Sequence, residues 1–256
     1  MFLVGLNIHR TAQVYGLSLT LSFSTHRLFM TQHHTTQRTR VWDLPTRVFH
    51  ALLILSIGGL IVTGEMGGDV MPLHFLLGYN ILALVFFRLV WGVLGGHWSR
   101  FRHFVPTPAA LLSYVKSLRA NQAIAHVGHN PLGALSVLAM LGFLLLQVFS
   151  GFMSDDEISN TGPWTVFVSA DWVSFATEYH SDIGKAILLI LIGLHISTVI
   201  FYKRIKQVDL IPPMIHGDKS LPLETQASRD TLTSRLFALG LYAGCIYAVY
   251  RLVNIV

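Results

Sequence analysis

Five long apolar runs constrain this chain more than any other feature in it. They fall at about 47–63, 74–95, 131–152 and 180–202, with a weaker one at about 235–254 that carries Arg251 near its end. About 20 apolar residues wound as a helix match the ~30 Å hydrocarbon core of a bilayer. Helix is the state such a run must take there, because lipid cannot satisfy an exposed backbone N–H or C=O. Only 12% of the 256 residues are charged, against 52% hydrophobic, where a soluble domain carries about 25% charged residues. The chain is therefore expected to be all-α and integral to a membrane, with the lipid bilayer as its first partner.

The segments between the runs differ in sign. Residues 64–73 hold Glu65 and Asp69 and no Lys or Arg, and residues 153–179 hold Asp155, Asp156, Glu157, Asp171 and Glu178 and again no Lys or Arg. Residues 97–129 hold Arg100, Arg102, Lys116 and Arg119 and no acid, and Lys203, Arg204 and Lys206 follow the fourth run. By the positive-inside rule this alternation puts the N-terminus in the cytoplasm and the acidic loops outside. The net charge of +5 is thus a topology signal, and no nucleic-acid partner is expected. Trp42, Trp91 and Trp98 fall near the expected cytoplasmic interface, where belt aromatics sit. Pro212, Pro213 and Pro222 suggest a non-helical linker to the fifth run.

There is one cysteine, Cys245, and there are thirteen histidines. No disulfide framework, thiolate metal site or covalent haem-attachment motif can be built from one cysteine. Ionisable residues inside spans are functional hypotheses by default, and four histidines qualify: His50, His74, His180 and His195. Their depths pair His50 with His195 near the cytoplasmic side and His74 with His180 near the outer side. His180 and His195, fifteen residues apart, would lie about 22 Å apart and roughly 60° apart around a helix axis, so both can face one bundle interior. Arg88, on the second run at the depth of His50 and His195, needs an anionic partner or must snorkel to the headgroups. These residues alone leave haem ligation, a proton relay and a metal transporter open.

The stretches VWDLPTRVFH, LHFLLGYNILALVFFRLVWGVLG, SRFRHFV, GHNPLGAL and LHISTVIFYKRIKQVDLIPPMIHGDK, taken in order, resemble the bacterial cytochrome b561 family, which includes the cytochrome b subunit of nickel-iron hydrogenase. The likeness runs over roughly residues 40–219. It implies a four-helix bundle, here with an additional C-terminal transmembrane helix, holding two non-covalent, bis-histidine haem b groups. The family's ligands come from the first, second and fourth helices, and the matching positions are His50, His74, His180 and His195. Arg88 is expected on a haem propionate. The two fourth-helix ligands of the family are usually fourteen residues apart, so the spacing here carries one extra residue, which a local bulge could absorb. His129, in the GHNPLG motif, is expected to be structural and near a propionate rather than a ligand.

The resemblance implies electron transfer in a bacterial inner (plasma) membrane, between quinone or quinol and a redox protein such as a c-type cytochrome, a hydrogenase or a dehydrogenase. No catalytic residue is assigned. One alternative is a quinone reductase that oxidises superoxide, which would want a cationic outer funnel. Another, of a different class, is a histidine-lined metal or proton transporter without haem, which would typically show intramembrane acids; Asp182 is the nearest to one. Three segments are expected: 1–40 as an N-terminal extension, disordered or preceding a true start at Met30; 41–219 as the di-haem bundle; and 220–256 as linker and fifth helix.

Overall fold

The structure, a computed structural model, describes residues 11–14, 17–20, 36–120, 126–158 and 160–255. The chain divides into two units, residues 1–35 and 36–256. In the first, β1 (Thr11–Val14) and β2 (Leu17–Thr20) pair antiparallel, Thr11 opposite Thr20. The rest of the expectation for residues 1–35 lies outside the described residues.

The second unit opens with β3 (Thr36–Arg40). Residues 36–40, placed with the extension on sequence grounds, belong to this larger unit. Five helices long and apolar enough to cross a membrane follow among the described residues. They are α1 (Leu44–Met66), α2 (Met71–Leu94), α4 (Pro131–Phe152), the continuous stretch from α5 (Ala170–Glu178) through a π-helical turn (Tyr179–Gly184) into α6 (Lys185–Arg204), and α8 (Leu232–Val253). Between them lie the shorter helices α3 (Pro108–Arg119) and α7 (Ile211–His216). The ends are set by local chemistry. Asp43, Asn130 and Thr231 each accept the backbone N–H three residues on, satisfying a donor that the first turn would leave orphaned. Thr107 and Ser169 do the same for α3 and α5.

Helix α2 is central, packed by α1, α4 and α8. Ile81, Leu82, Ala83, Leu84 and Val85 are all buried, as a helix enclosed on every side requires. Helix α6 packs mainly on α4. The fifth helix is tied to α2 at mid-depth, where the Tyr242 hydroxyl donates to Asn80 Oδ1 and Asn80 Nδ2 donates to Ser56 Oγ on α1 at 2.9 Å.

Three sequence expectations are corrected. The fourth span begins at Ala170 rather than 180, because Ser169 caps a helix start within what reads as an acidic loop. The Pro212–Pro213 segment is not wholly non-helical: both prolines fall in the first turn of α7, where a missing N–H costs nothing. Trp42 and Trp91 are buried, not belt residues.

The reason for Trp91 is Asp43. This fully buried carboxylate accepts Trp91 Nε1–H at 3.2 Å, Gly96 N–H at 2.9 Å and the Ser99 hydroxyl at 2.8 Å, besides the Thr46 N–H at 2.9 Å. It binds the first turn of α1 to the end of α2. We call this the basic end of the bundle and the opposite one the acidic end, after their loops. Here β3 also pairs antiparallel with β4 (Asp218–Pro222), Arg40 opposite Asp218. Asp230 gathers Arg40 at 3.3 Å, Arg47 at 3.9 Å and Arg235 at 2.9 Å. Burial opposes the Asp230 carboxylate, but hydrogen bonds from Arg235 and the Leu44 backbone, with the charges of Arg235 and Arg40, hold its pKa below the usual range.

Two outcomes are expected. Asp43→Ala leaves several buried donors without an acceptor and should cost about 3–5 kcal/mol, read as a fall in the thermal unfolding midpoint by circular dichroism in detergent. Asp230→Asn should lower the same midpoint near neutral pH and cease to matter in acid. A depressed carboxylate pKa contributes stability above the unfolded value of about 3.9 and loses it as pH falls through the folded value.

Candidate functional site

The structure brings the four intramembrane histidines together as two facing pairs. The His50 and His195 rings, from α1 and α6, have centroids 6.4 Å apart and planes at 56°. The His74 and His180 rings, from α2 and the π turn, are 6.1 Å apart at 79°. The first pair stands toward the basic end and the second toward the acidic end.

At the acidic end the hydrogen bonds fix which ring nitrogen is free. His180 Nδ1 lies 2.8 Å from the Gln147 carbonyl, which can only accept, so Nδ1 carries the proton and Nε2 is left with its lone pair. The Ser150 hydroxyl donates to the same carbonyl at 2.9 Å. The Thr63 hydroxyl donates to the Gly59 carbonyl at 2.7 Å and so accepts from His74 Nδ1 at 3.1 Å. Both rings are thus held by Nδ1, the arrangement by which metal-binding histidines are oriented. Gly151 permits the close approach of α4: a Cβ there would stand 2.8 Å from the His180 ring. Around the pair is a cavity of about 430 Å³, walled by Ile57, Leu60, Gly78, Leu144 and Leu188 among others, within the usual cofactor-site range of about 300–1,000 Å³. Near its mouth Lys185 pairs with Glu65 at 3.0 Å, so the cation there is already matched by an acid and makes no net positive funnel.

At the basic end Arg88 is only 3% exposed. It does not snorkel; its guanidinium lies over the Phe101 and Phe104 rings, 4.8 and 5.8 Å from their centroids. His129 is wedged between Trp42 at 4.7 Å and Phe104 at 4.8 Å. Burial, then the nearby charges of Arg88 and Lys219, pushes the His129 pKa down to about 3, so its ring is neutral. Lys219 donates to the Val127 carbonyl at 2.7 Å. Arg88 Nη1 and His129 Nδ1 are buried and without a hydrogen-bond partner among the described residues. An unpartnered cationic donor on Arg88, beside the His50–His195 pair, suits an anion.

Haem is the group that the resemblance implies for these pairs. Two metal–nitrogen bonds of about 2 Å, with roughly 1 Å from each nitrogen to its ring centre, would separate the centroids of two axial imidazoles by about 6 Å. Both pairs have that spacing. Among the described residues no cluster of three or more His, Cys, Asp or Glu side chains is placed to hold a metal ion. A bare ion wants more protein ligands than two, whereas haem iron brings four of its own. The donor sets therefore fit haem.

Sequence reasoning singled out the histidines and Arg88 but missed Thr63, Gln147 and Ser150, which orient the acidic-end rings. A hydroxyl or amide within an apolar run is visible in the sequence, but its target is not.

A family model described as prokaryotic cytochrome b561 matches residues 41–217. The chain is 24% identical over 212 residues to a protein of Bradyrhizobium diazoefficiens named "Probable Ni/Fe-hydrogenase B-type cytochrome subunit", covering 70% of this chain and 85% of that one. It is 23% identical over 214 residues to a protein of the same name from Rhizobium leguminosarum, covering 72% and 89%. It is 26% identical over 133 residues to the "Probable Ni/Fe-hydrogenase 1 B-type cytochrome subunit" of Escherichia coli, covering 43% and 55%. No solved structure matches the chain significantly.

The Thr63 contact has its own test. In protein labelled with ¹⁵N-histidine, Thr63→Val should remove the acceptor that fixes the His74 tautomer and shift its ring-nitrogen resonances, while Thr63→Ser should restore them.

Proposed function

The chain belongs to the prokaryotic cytochrome b561 family, and we propose that it carries electrons across a bacterial inner membrane through two haem b groups, one held by His50 and His195 and the other by His74 and His180. Family membership and the five candidate spans make it a multi-pass membrane b-type cytochrome of electron transfer. The number of haems, their ligands and the partners are our reading.

Haem iron supplies the reversible one-electron chemistry that no side chain here offers. The residues do the rest. Each histidine pair clamps from two opposite helices, so neither site forms unless the bundle closes. His74 and His180, held through Nδ1, present Nε2 to the interior. Arg88 would meet a propionate of the basic-end group as a charged donor, with neutral His129 beside it. The apolar walls exclude water, which sets potential as much as ligand identity does. His180 and His195 stand about 22 Å apart along their helix, so the two sites divide the membrane thickness between them.

The alternating charge of the loops supports a cytoplasmic N-terminus, with the basic end inside. Quinone or quinol is the proposed small-molecule partner. The names of the relatives favour a hydrogenase as the protein partner over a c-type cytochrome or another dehydrogenase.

The observation that carries the reading is the pair of facing histidine pairs at 6.4 and 6.1 Å. A pyridine haemochrome assay on purified protein, with a dithionite-reduced minus oxidised spectrum, should give two low-spin haem b per chain. His195→Ala should leave one. Wild-type protein without haem would refute the proposal.

A further inference from the structure

We infer that Gln147 positions His180 by holding the π turn on which it stands, and thereby tunes the acidic-end haem; this rests on the two-haem reading above. His180 is the second residue of the π turn Tyr179–Gly184. A π turn lets fifteen residues span the turns that fourteen span in regular α-helix, its carbonyls bonding five residues on instead of four. Within a bilayer no water is at hand to support such a turn from outside.

The Gln147 side chain supports it, its Nε2 donating to the His180 carbonyl oxygen at 2.7 Å. The Gln147 main-chain carbonyl accepts His180 Nδ1–H at 2.8 Å. One residue of α4 thus grips both the backbone and the ring of one residue on the facing helix. Gln147 Oε1 is buried and has no hydrogen-bond partner among the described residues. Gly184 makes room for it, since a Cβ at that position would stand 2.1 Å from Oε1.

The consequence follows from helix geometry. Without the amide, the π turn loses its support from α4 and regular α-helix is favoured in its place. One residue of register turns His180 about 100° around the axis and away from His74. If the turn survives, the Nδ1–H···O bond loosens, the ring becomes a weaker donor to ferric iron, and the potential rises. Gln147 is therefore a positioning residue that acts through His180.

The test is Gln147→Leu in the whole membrane protein, made alone and together with deletion of Ser181, which converts the π turn to regular helix and so removes what Gln147 would hold. Haem content and a redox titration of the visible haem bands are read for each. Gln147→Leu alone should lose one of two haems, or shift the oxidised-to-reduced equilibrium of one haem severalfold while the other is unmoved. In the deletion background the same substitution should change nothing further. A Gln147→Leu protein identical to wild type, or one changed equally in both backgrounds, overturns the inference while leaving the two-haem reading intact. If the single variant does not accumulate, the doubly altered protein decides: its accumulation with two haems supports the inference, and its failure overturns it. A wild type without haem removes the reading first and the inference with it.

Discussion

The bundle depends on one buried carboxylate. Asp43 is fully enclosed, and its two oxygens take donors from the first turn of α1, from the last turns of α2 and from the 3₁₀ turn that follows (His97–Ser99). A charge in that position is tolerable only because its acceptor sites are so fully used. Its effect is to set the height of α1 against α2. His50 lies two turns beyond Asp43 on one helix, and Arg88 about one turn before Trp91 on the other. The clamp therefore decides where the basic-end histidine stands relative to the buried arginine. Asp43 is also close enough to Arg88 for the two charges to attract, so one anion serves both as a joint and as partial compensation for a cation with little access to solvent.

The acidic end solves a different problem with neutral groups. There His180 stands in a π turn, and Gln147 Nε2 donates to its carbonyl oxygen. The Thr63 hydroxyl accepts from His74 and the Ser150 hydroxyl donates to the Gln147 carbonyl, so hydroxyls and an amide hold both rings without bringing a charge to them. The two ends of the molecule thus show two ways of making a polar site within a membrane: an ionised hub shielded by donors near the surface, and a neutral lattice further in.

Much of this was legible beforehand, and the part that was not is physically coherent. The spans follow from hydropathy alone because the bilayer imposes their length. The pairing of His50 with His195 and of His74 with His180 follows from depth, because depth is fixed once a span and its direction are known. Asp43 drew no reading at all, since nothing local says that a capping aspartate also serves a second helix more than forty residues away. Gln147 read as one polar residue in an apolar run, because its partner is a backbone atom, which has no sequence identity. Trp91 looked like an interfacial aromatic because composition cannot say which way an indole N–H points. Pro212 and Pro213 read as breakers because proline's meaning depends on whether it falls in the first turn of a helix or beyond it.

The small sheet has a bearing on how the chain assembles. The β3–β4 region joins segments far apart in sequence, with Gln37 Nε2 donating to the Leu223 carbonyl across 186 residues. At a synthesis rate of about 5–20 residues per second, β3 emerges some ten seconds or more before β4 exists. Throughout that interval its edge is unpaired, while the first four spans enter the bilayer one after another. The strand pair is therefore a late stitch: it ties the chain ahead of α1 to the chain ahead of α8 once four spans are in place, and adds a backbone joint to the Asp43 clamp that already holds the first span beside the second.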